Sequence, residues 1–215
     1  TIAAQSKSSA PGGKGANQAV AAARSGAQTA FVGAVGSDNE GQYMLEALKE
    51  NDIDTSHINI DKYHGTGSAA ITLDANGQND IMVYGGANQA MQPGEFGDLS
   101  ELLAHTDFLI AQFETPQAVA LDLFKQAKKQ GVTTVLNPAP AHEIMPELLQ
   151  YTDVIAPNET ECALLTGIEL TDEDSMLKSA DYFRERGVKH LLITLGDRGV
   201  FYATPDDHGL VPAFK

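Results

Sequence analysis

Four short segments carry residues whose types and spacing suit ligand chemistry. In Gly12-Gly-Lys-Gly-Ala-Asn17, glycines lead into the small-residue run Gln-Ala-Val-Ala-Ala-Ala-Arg24. Small side chains let a helix pack closely on a sheet, and glycines bring bare backbone N–H groups to its N-terminus. Lys14 adds a cation, and Asn17 adds a donor and an acceptor, a set suited to gripping a polyhydroxyl ligand. A glycine turn that merely starts a helix is the simpler account, yet a lysine between glycines is costly to immobilise without a ligand. Glu114 stands just past an apolar run ending at Gln112. Its carboxylate can accept hydrogen bonds from hydroxyls, or simply favour a helix N-terminus. Asn158-Glu-Thr-Glu161 follows Pro157, and i, i+3 spacing sets Asn158 and Glu161 on one face. There they could organise phosphate, water and hydrated Mg²⁺. The same spacing is close to that of a capping box, and the two roles can coexist. In Thr194-Leu-Gly-Asp-Arg-Gly199, a hydroxyl and the glycines Gly196 and Gly199 flank Asp197. Such a turn can receive a nucleotide's phosphates through backbone N–H groups, or it can simply join two strands.

Other chemistries are disfavoured. Gly65-Thr-Gly67-Ser-Ala-Ala70 fits a loose dinucleotide fingerprint, but a strand pattern follows where a helix is needed. No phosphate loop of the G-x-x-x-x-G-K-[ST] type occurs, and the six histidines form no i, i+4 pair. Cys162 is the only cysteine, so no internal disulfide can form; it reads as a small buried residue of a chain suited to a reducing compartment, the cytoplasm. Lys plus Arg number 14 against 29 Asp plus Glu, a formal net charge of −15. So acidic a surface repels phosphate backbones and anionic headgroups, which makes nucleic acid and membranes poor partners. No apolar run is long enough to cross a membrane.

The elements that must position these segments alternate along the chain. Strands are expected at 29–35, 107–112, 132–136, 153–156 and 190–194, with a further one at 200–203. Helices are expected from an Asp38 cap to Lys49, from Pro116 to Gln130 with a stop at Gly131, from Asn158, and from about 171 to 186. This alternation predicts an α/β fold, a mostly parallel sheet with helices on both faces and ligands beyond the strands' carboxyl ends. One stretch departs from it. Gly67–Asp74 places Ala69, Ile71 and Leu73 on one face, and the turn pair Asn76-Gly77 leads into Asp80–Tyr84, a β-hairpin over about 66–86. Its apolar face needs a cover, which points to a lid or a dimer contact. With no repeat or linker, 1–215 reads as one domain carrying this insert.

Taken together, Gly12–Arg24, Leu136-Asn-Pro-Ala-Pro-Ala141, Ala156-Pro-Asn-Glu-Thr-Glu161 and Ile193–Val200 resemble the ribokinase-like (phosphofructokinase-B) family of sugar kinases, in that family's order and spacing. The G-G-K-G-A-N-Q stretch is the part of the resemblance most specific to ribokinase; the rest mark the broader family. The resemblance implies that Gly12, Gly13, Lys14, Asn17 and Glu114 bind ribose. It implies that Asn158 and the turn with Thr194, Gly196, Asp197 and Gly199 bind ATP, with Glu161 acting on Mg²⁺ through water. It implies a K⁺ requirement, a homodimer built through the lid, and phosphorylation of D-ribose at its 5-hydroxyl. A kinase for deoxyribose, another small sugar or a nucleoside, and a non-catalytic sugar-binding module, are the alternatives. Family members open with a strand bearing an N-x-D pair and later carry a G-A-G-D segment whose Asp is the base. The chain starts after the first and stops short of the second, and it opens Thr-Ile-Ala-Ala rather than on Met. The expectation is a domain incomplete at both ends, its base beyond Lys215, inactive when alone. Pro11 replaces the family's small residue and fixes the entry to the glycine loop.

Overall fold

The computed structural model describes residues 6–73 and 78–214, so the expected Asn76-Gly77 turn lies outside the described residues. The chain forms two compact units, Thr1–Ala90 and Met91–Lys215. The first contains α1 (Lys14–Arg24), β1 (Gly33–Gly36), α2 (Asn39–Lys49), β2 (Ile58–Asp61), β3 (Ser68–Leu73), β4 (Asn79–Tyr84) and α3 (Ala87–Ala90). The second contains α4 (Ser100–Leu103), β5 (Phe108–Ala111), α5 (Gln117–Lys129), β6 (Thr133–Leu136), α6 (Pro146–Gln150) and β7 (Val154–Ile155). It continues with α7 (Glu159–Thr166), α8 (Glu173–Arg184), β8 (His190–Thr194), a 3₁₀ turn at Gly196–Arg198, β9 (Val200–Ala203) and β10 (His208–Val211).

In the second unit a six-stranded sheet runs in the order β10-β9-β8-β7-β6-β5. Strands β5 to β8 are parallel, and β9 and β10 close one edge antiparallel. This is the mostly parallel α/β sheet that strand–helix alternation specifies. Its core is built from Phe124, Leu136, Leu148, Ile155, Phe183, Leu191, Ile193 and Phe201, all buried. Helix α5 has no side-chain cap at Pro116; it buries Val119, Ala120, Phe124 and Ala127 and ends before Gly131 at φ 76°. Helix α8 starts from Asp172, whose side chain accepts from the Ser175 N–H in a full capping box. Under the sheet's entry edge, Lys128 Nζ lies 2.7 Å from both Asp153 carboxylate oxygens, and Asp153 Oδ2 accepts from the Thr134 N–H at 3.0 Å.

In the first unit β1 and β2 pair in parallel, and α1 lays Ala16 and Ala19 into a small core with Leu48, Ile53, Phe31 and Ile58. Alanines on that face are what let the helix approach so closely. The strand expected over 29–35 is shorter and shifted. An isolated bridge joins Ala30 to Asp54, and regular pairing begins only at Gly33 opposite Ile58. The partner segment turns between them, with the Ser56 N–H donating to Asp54 Oδ1 and the Ile58 N–H to the Thr55 carbonyl, so pairing lapses after the Phe31 N–H, which donates to the Asp54 carbonyl at 2.9 Å.

Strands β3 and β4 pair antiparallel, with Ala69 opposite Val83 and Ile71 opposite Ile81. Ile71, Leu73, Ile81 and Val83 are all exposed, so none of the described residues covers the apolar face. The root of this hairpin is tied by Asp38. Its Oδ1 caps α2 through the Gly41 N–H at 2.9 Å and accepts from Thr66 Oγ1 at 2.5 Å, while Oδ2 accepts from the Thr66 N–H at 2.8 Å. Thr66 Oγ1 in turn accepts from the Gly36 N–H at 2.9 Å. One carboxylate thus fastens the start of α2, the end of β1 and the entry to β3. Hydrogen bonds from Thr66, side chain then backbone, hold the Asp38 carboxyl below its ordinary value. A depressed carboxylate stabilises the fold above its unfolded pKa of about 3.9, and that contribution is lost as pH falls through the folded value. Thr66→Val should lower unfolding free energy by about 1–3 kcal/mol, read from urea denaturation. Asp38→Asn should flatten the loss of stability on acidification below about pH 4, read from melting temperatures across that range; an unchanged acid profile would refute the clamp.

Candidate active site

The sugar-side candidates are divided between the two units. Gly12, Gly13, Lys14 and Asn17 open α1 in the first unit, and Glu114 lies in the second. Gly13 is the N-cap residue, at φ 92° and ψ 143°, a backbone setting that an L side chain rarely adopts. A glycine cap has no side chain with which to satisfy the first-turn N–H groups, and no side-chain cap bond is made there. Lys14 is half-buried and Asn17 exposed at this terminus. Glu114 is half-buried, following the buried Phe113, whose N–H donates to the Ala139 carbonyl at 3.0 Å.

The nucleotide-side candidates are brought together within the second unit. The Asn158–Glu161 capping box is complete: the Glu161 N–H donates to Asn158 Oδ1 and the Asn158 N–H to Glu161 Oε2, each at 2.8 Å. The residues are therefore structural as well as available, because a carboxylate retains lone pairs beyond one accepted bond. Asn158 forms a parallel bridge to Thr194, and the Thr194 N–H donates to the Pro157 carbonyl at 3.0 Å. Between them opens a cavity of about 720 Å³ lined by Asn158, Thr160, Thr194, Gly196, Gly199 and, on its apolar side, Val211 and neighbours. Gly199 sits at φ 103°, and a Cβ there would strike the Val211 carbonyl. Asp197 lies exposed on the turn and does not line the cavity. Arg198 ion-pairs with Glu159, linking the turn to the first residue of α7.

A further residue was not singled out from its sequence. Asn137 directly follows β6, with its N–H donating to the Ala111 carbonyl at 2.9 Å. Its side-chain Oδ1 is buried and is the only such side-chain oxygen or nitrogen without a hydrogen-bond partner among the described residues. The available signal was an asparagine at a strand's carboxyl end, followed by Pro-Ala-Pro. Among the described residues no group of three His, Cys, Asp or Glu could hold a metal. A hydrated Mg²⁺ on phosphate needs no such cage, since Mg²⁺ keeps several waters, and the acceptors Glu161 and Asn137 fit those waters. Cys162 is buried, and burial pushes its thiol up to about 11, which removes it as a nucleophile.

All 215 residues match the pfkB family carbohydrate kinase model. The chain is 50% identical over 203 residues to a bifunctional ribokinase/ribose-5-phosphate isomerase A of Fructilactobacillus sanfranciscensis, covering 94% of this chain and 38% of that protein. It is 47% identical over 204 residues to a ribokinase of Staphylococcus aureus, covering 95% and 67%. Among solved structures, an Arabidopsis thaliana ribokinase complexed with ribose and ATP superposes with a TM-score of 0.94 at 30% identity, over 99% of this chain and 70% of that one. Sequence, sheet topology and the strand-end segments agree, and the chain belongs to the pfkB family of carbohydrate kinases.

Proposed function

We propose that the protein to which this chain belongs is a ribokinase, transferring the γ-phosphoryl of ATP to the 5-hydroxyl of D-ribose. The observation that carries this reading is the Gly12–Asn17 segment, set as the uncapped N-terminus of α1. Likeness to ribokinases, one of them solved with ribose and ATP, supports it. Lys14, Asn17 and the α1 N–H groups bind sugar hydroxyls, joined by the Glu114 carboxylate. The cavity between Asn158 and the 194–199 turn takes the nucleotide, its phosphates at the turn's backbone. Glu161, anchored by the capping box, would hold a hydrated Mg²⁺ through its waters, and the cation would supply neutralisation of charge that develops on the phosphates. The base that takes the 5-hydroxyl proton is, by family resemblance, the Asp of a G-A-G-D segment. A K⁺ requirement rests on that resemblance alone. The exposed apolar hairpin supports a lid over the sugar and a homodimer contact, and the single buried cysteine suits the cytoplasm.

The direct test is product formation. The full-length parent with ATP and Mg²⁺ should yield ribose 5-phosphate, and in a sugar panel containing 2-deoxyribose it should prefer ribose in kcat/KM. A folded full-length protein that makes no ribose 5-phosphate at saturating ATP would sink this reading. Lys14→Ala and Glu114→Gln should each weaken ribose binding by about one to two decades and ATP binding less, as loss of a charge-assisted hydrogen bond costs ~1.5–3 kcal/mol. Calorimetric titrations with each ligand check this; an equal or larger loss for ATP would remove both residues from the sugar site. Gly199→Ala should do the reverse, because strain at this backbone costs on the order of 1–3 kcal/mol and deforms the turn. Its KM for ATP should rise while ribose affinity stays within about twofold, a split that steady-state kinetics resolve.

A further inference from the structure

A buried amide oxygen with no partner is rare in a native fold and calls for a specific cause. Asn137 Oδ1 is such an atom, and its position is informative. It stands at the carboxyl end of β6, flanked in the sheet by β5 and β7. The Asn137 N–H bonds the end of β5 at Ala111, and the Ala156 N–H bonds Leu136, the residue before Asn137, at 2.9 Å. Beyond β5 the chain reaches Glu114, and beyond β7 it reaches Asn158 and Glu161. Asn137 therefore occupies the strand end between the carboxylate read as sugar-binding and the capping box read as phosphate-binding. Parallel sheets place their chemistry at this edge.

An amide oxygen only accepts, so it is repelled by phosphate oxygens and satisfied only by a donor. The donors a phosphoryl-transfer site brings are sugar hydroxyls and waters polarised by a divalent cation. The cation-bound water is the stronger donor, and Glu161, in the helix that follows the adjacent strand β7, is read as acting on the same species. We propose that Asn137 is a positioning residue for the hydrated divalent cation, its Oδ1 accepting a hydrogen bond from a metal-bound water that arrives with the nucleotide. This rests on the kinase reading of the site. The oxygen has no protein partner among the described residues, so it is available to such a water.

The test uses the full-length protein, with Mn²⁺ and ADP as probes and electron paramagnetic resonance to count bound Mn²⁺. Asn137→Leu removes the oxygen at nearly constant volume. It should weaken Mn²⁺ binding to the protein–ADP complex by about tenfold or more, the usual loss when an outer-shell partner is deleted. The ligand-free variant should melt no lower than the parent. Asn137→Asp keeps an acceptor and should hold Mn²⁺ at least as tightly as the parent; if Asn137→Leu does not fold, Asn137→Ala provides the affinity comparison. Apparent Mg²⁺ activation should shift with Asn137→Leu while KM for ribose does not. Unchanged Mn²⁺ affinity overturns the proposal, whatever happens to the melting temperature. A lower melting temperature with unchanged Mn²⁺ affinity would assign the oxygen a structural partner elsewhere in the longer chain. A larger shift in ribose KM than in Mn²⁺ affinity would assign it to a sugar hydroxyl and also overturns it. Failure of the parent itself to bind Mn²⁺ with ADP overturns the kinase reading as well, so the two failures are separable.

Discussion

Strand β7 is two residues long, and the arrangement of the nucleotide side depends on how completely it is paired. Val154 and Ile155 are bonded to β6 on one side and β8 on the other. The pairing continues past the formal strand through the Ala156 N–H to Leu136 and the Thr194 N–H to Pro157. Buried backbone polar groups must be paired, and adjacent strands sit about 4.8 Å apart, so these bonds fix the following residues side by side. Asn158 is bridged to Thr194, and Asn137 follows the adjacent strand β6, for that reason. The buried side chains of Leu136, Ile155, Leu191 and Ile193 hold the ladder in register from below.

Residues at such an edge serve two ends at once. The Asn158–Glu161 box satisfies the start of α7 and in the same geometry presents a carboxylate where phosphate chemistry is read. Gly199 allows a turn that no other residue could form against the Val211 carbonyl, and the same turn borders the cavity. With a formal charge of −15, the chain does not attract a polyphosphate at long range. Recognition therefore has to come from local donors: backbone N–H groups, helix termini and the occasional lysine.

The fold class was legible because apolar runs of strand length alternated with capped helical patterns. Asp38 is the cap that the sequence leads one to expect, and Gly131 stops α5. Boundaries were less legible where the partner strand decided them. The run at 29–35 is apolar enough for one continuous strand, yet its ladder breaks opposite the turn at Thr55–His57. Strand β2 and strand β10 carry few apolar residues and owe their existence to neighbours. At the site, types and spacing pointed to the Asn158 box and the 194–199 turn, while spacing alone could not choose between cap and ligand role. Asn137 was beyond reach because an unpartnered oxygen is a property of its surroundings, invisible in a pattern of residue types.

The thiol of Cys162 opens a practical route to labelling the hairpin. It lies fully buried in the core of the second unit, with its ionisation pushed far above neutral pH. Maleimides and methanethiosulfonates need an exposed thiolate, so this segment behaves as an almost cysteine-free background. A cysteine placed at exposed Val83 would then take a spin label or fluorophore alone, and the label's spectrum would report the surroundings of the hairpin in solution without first rebuilding the core.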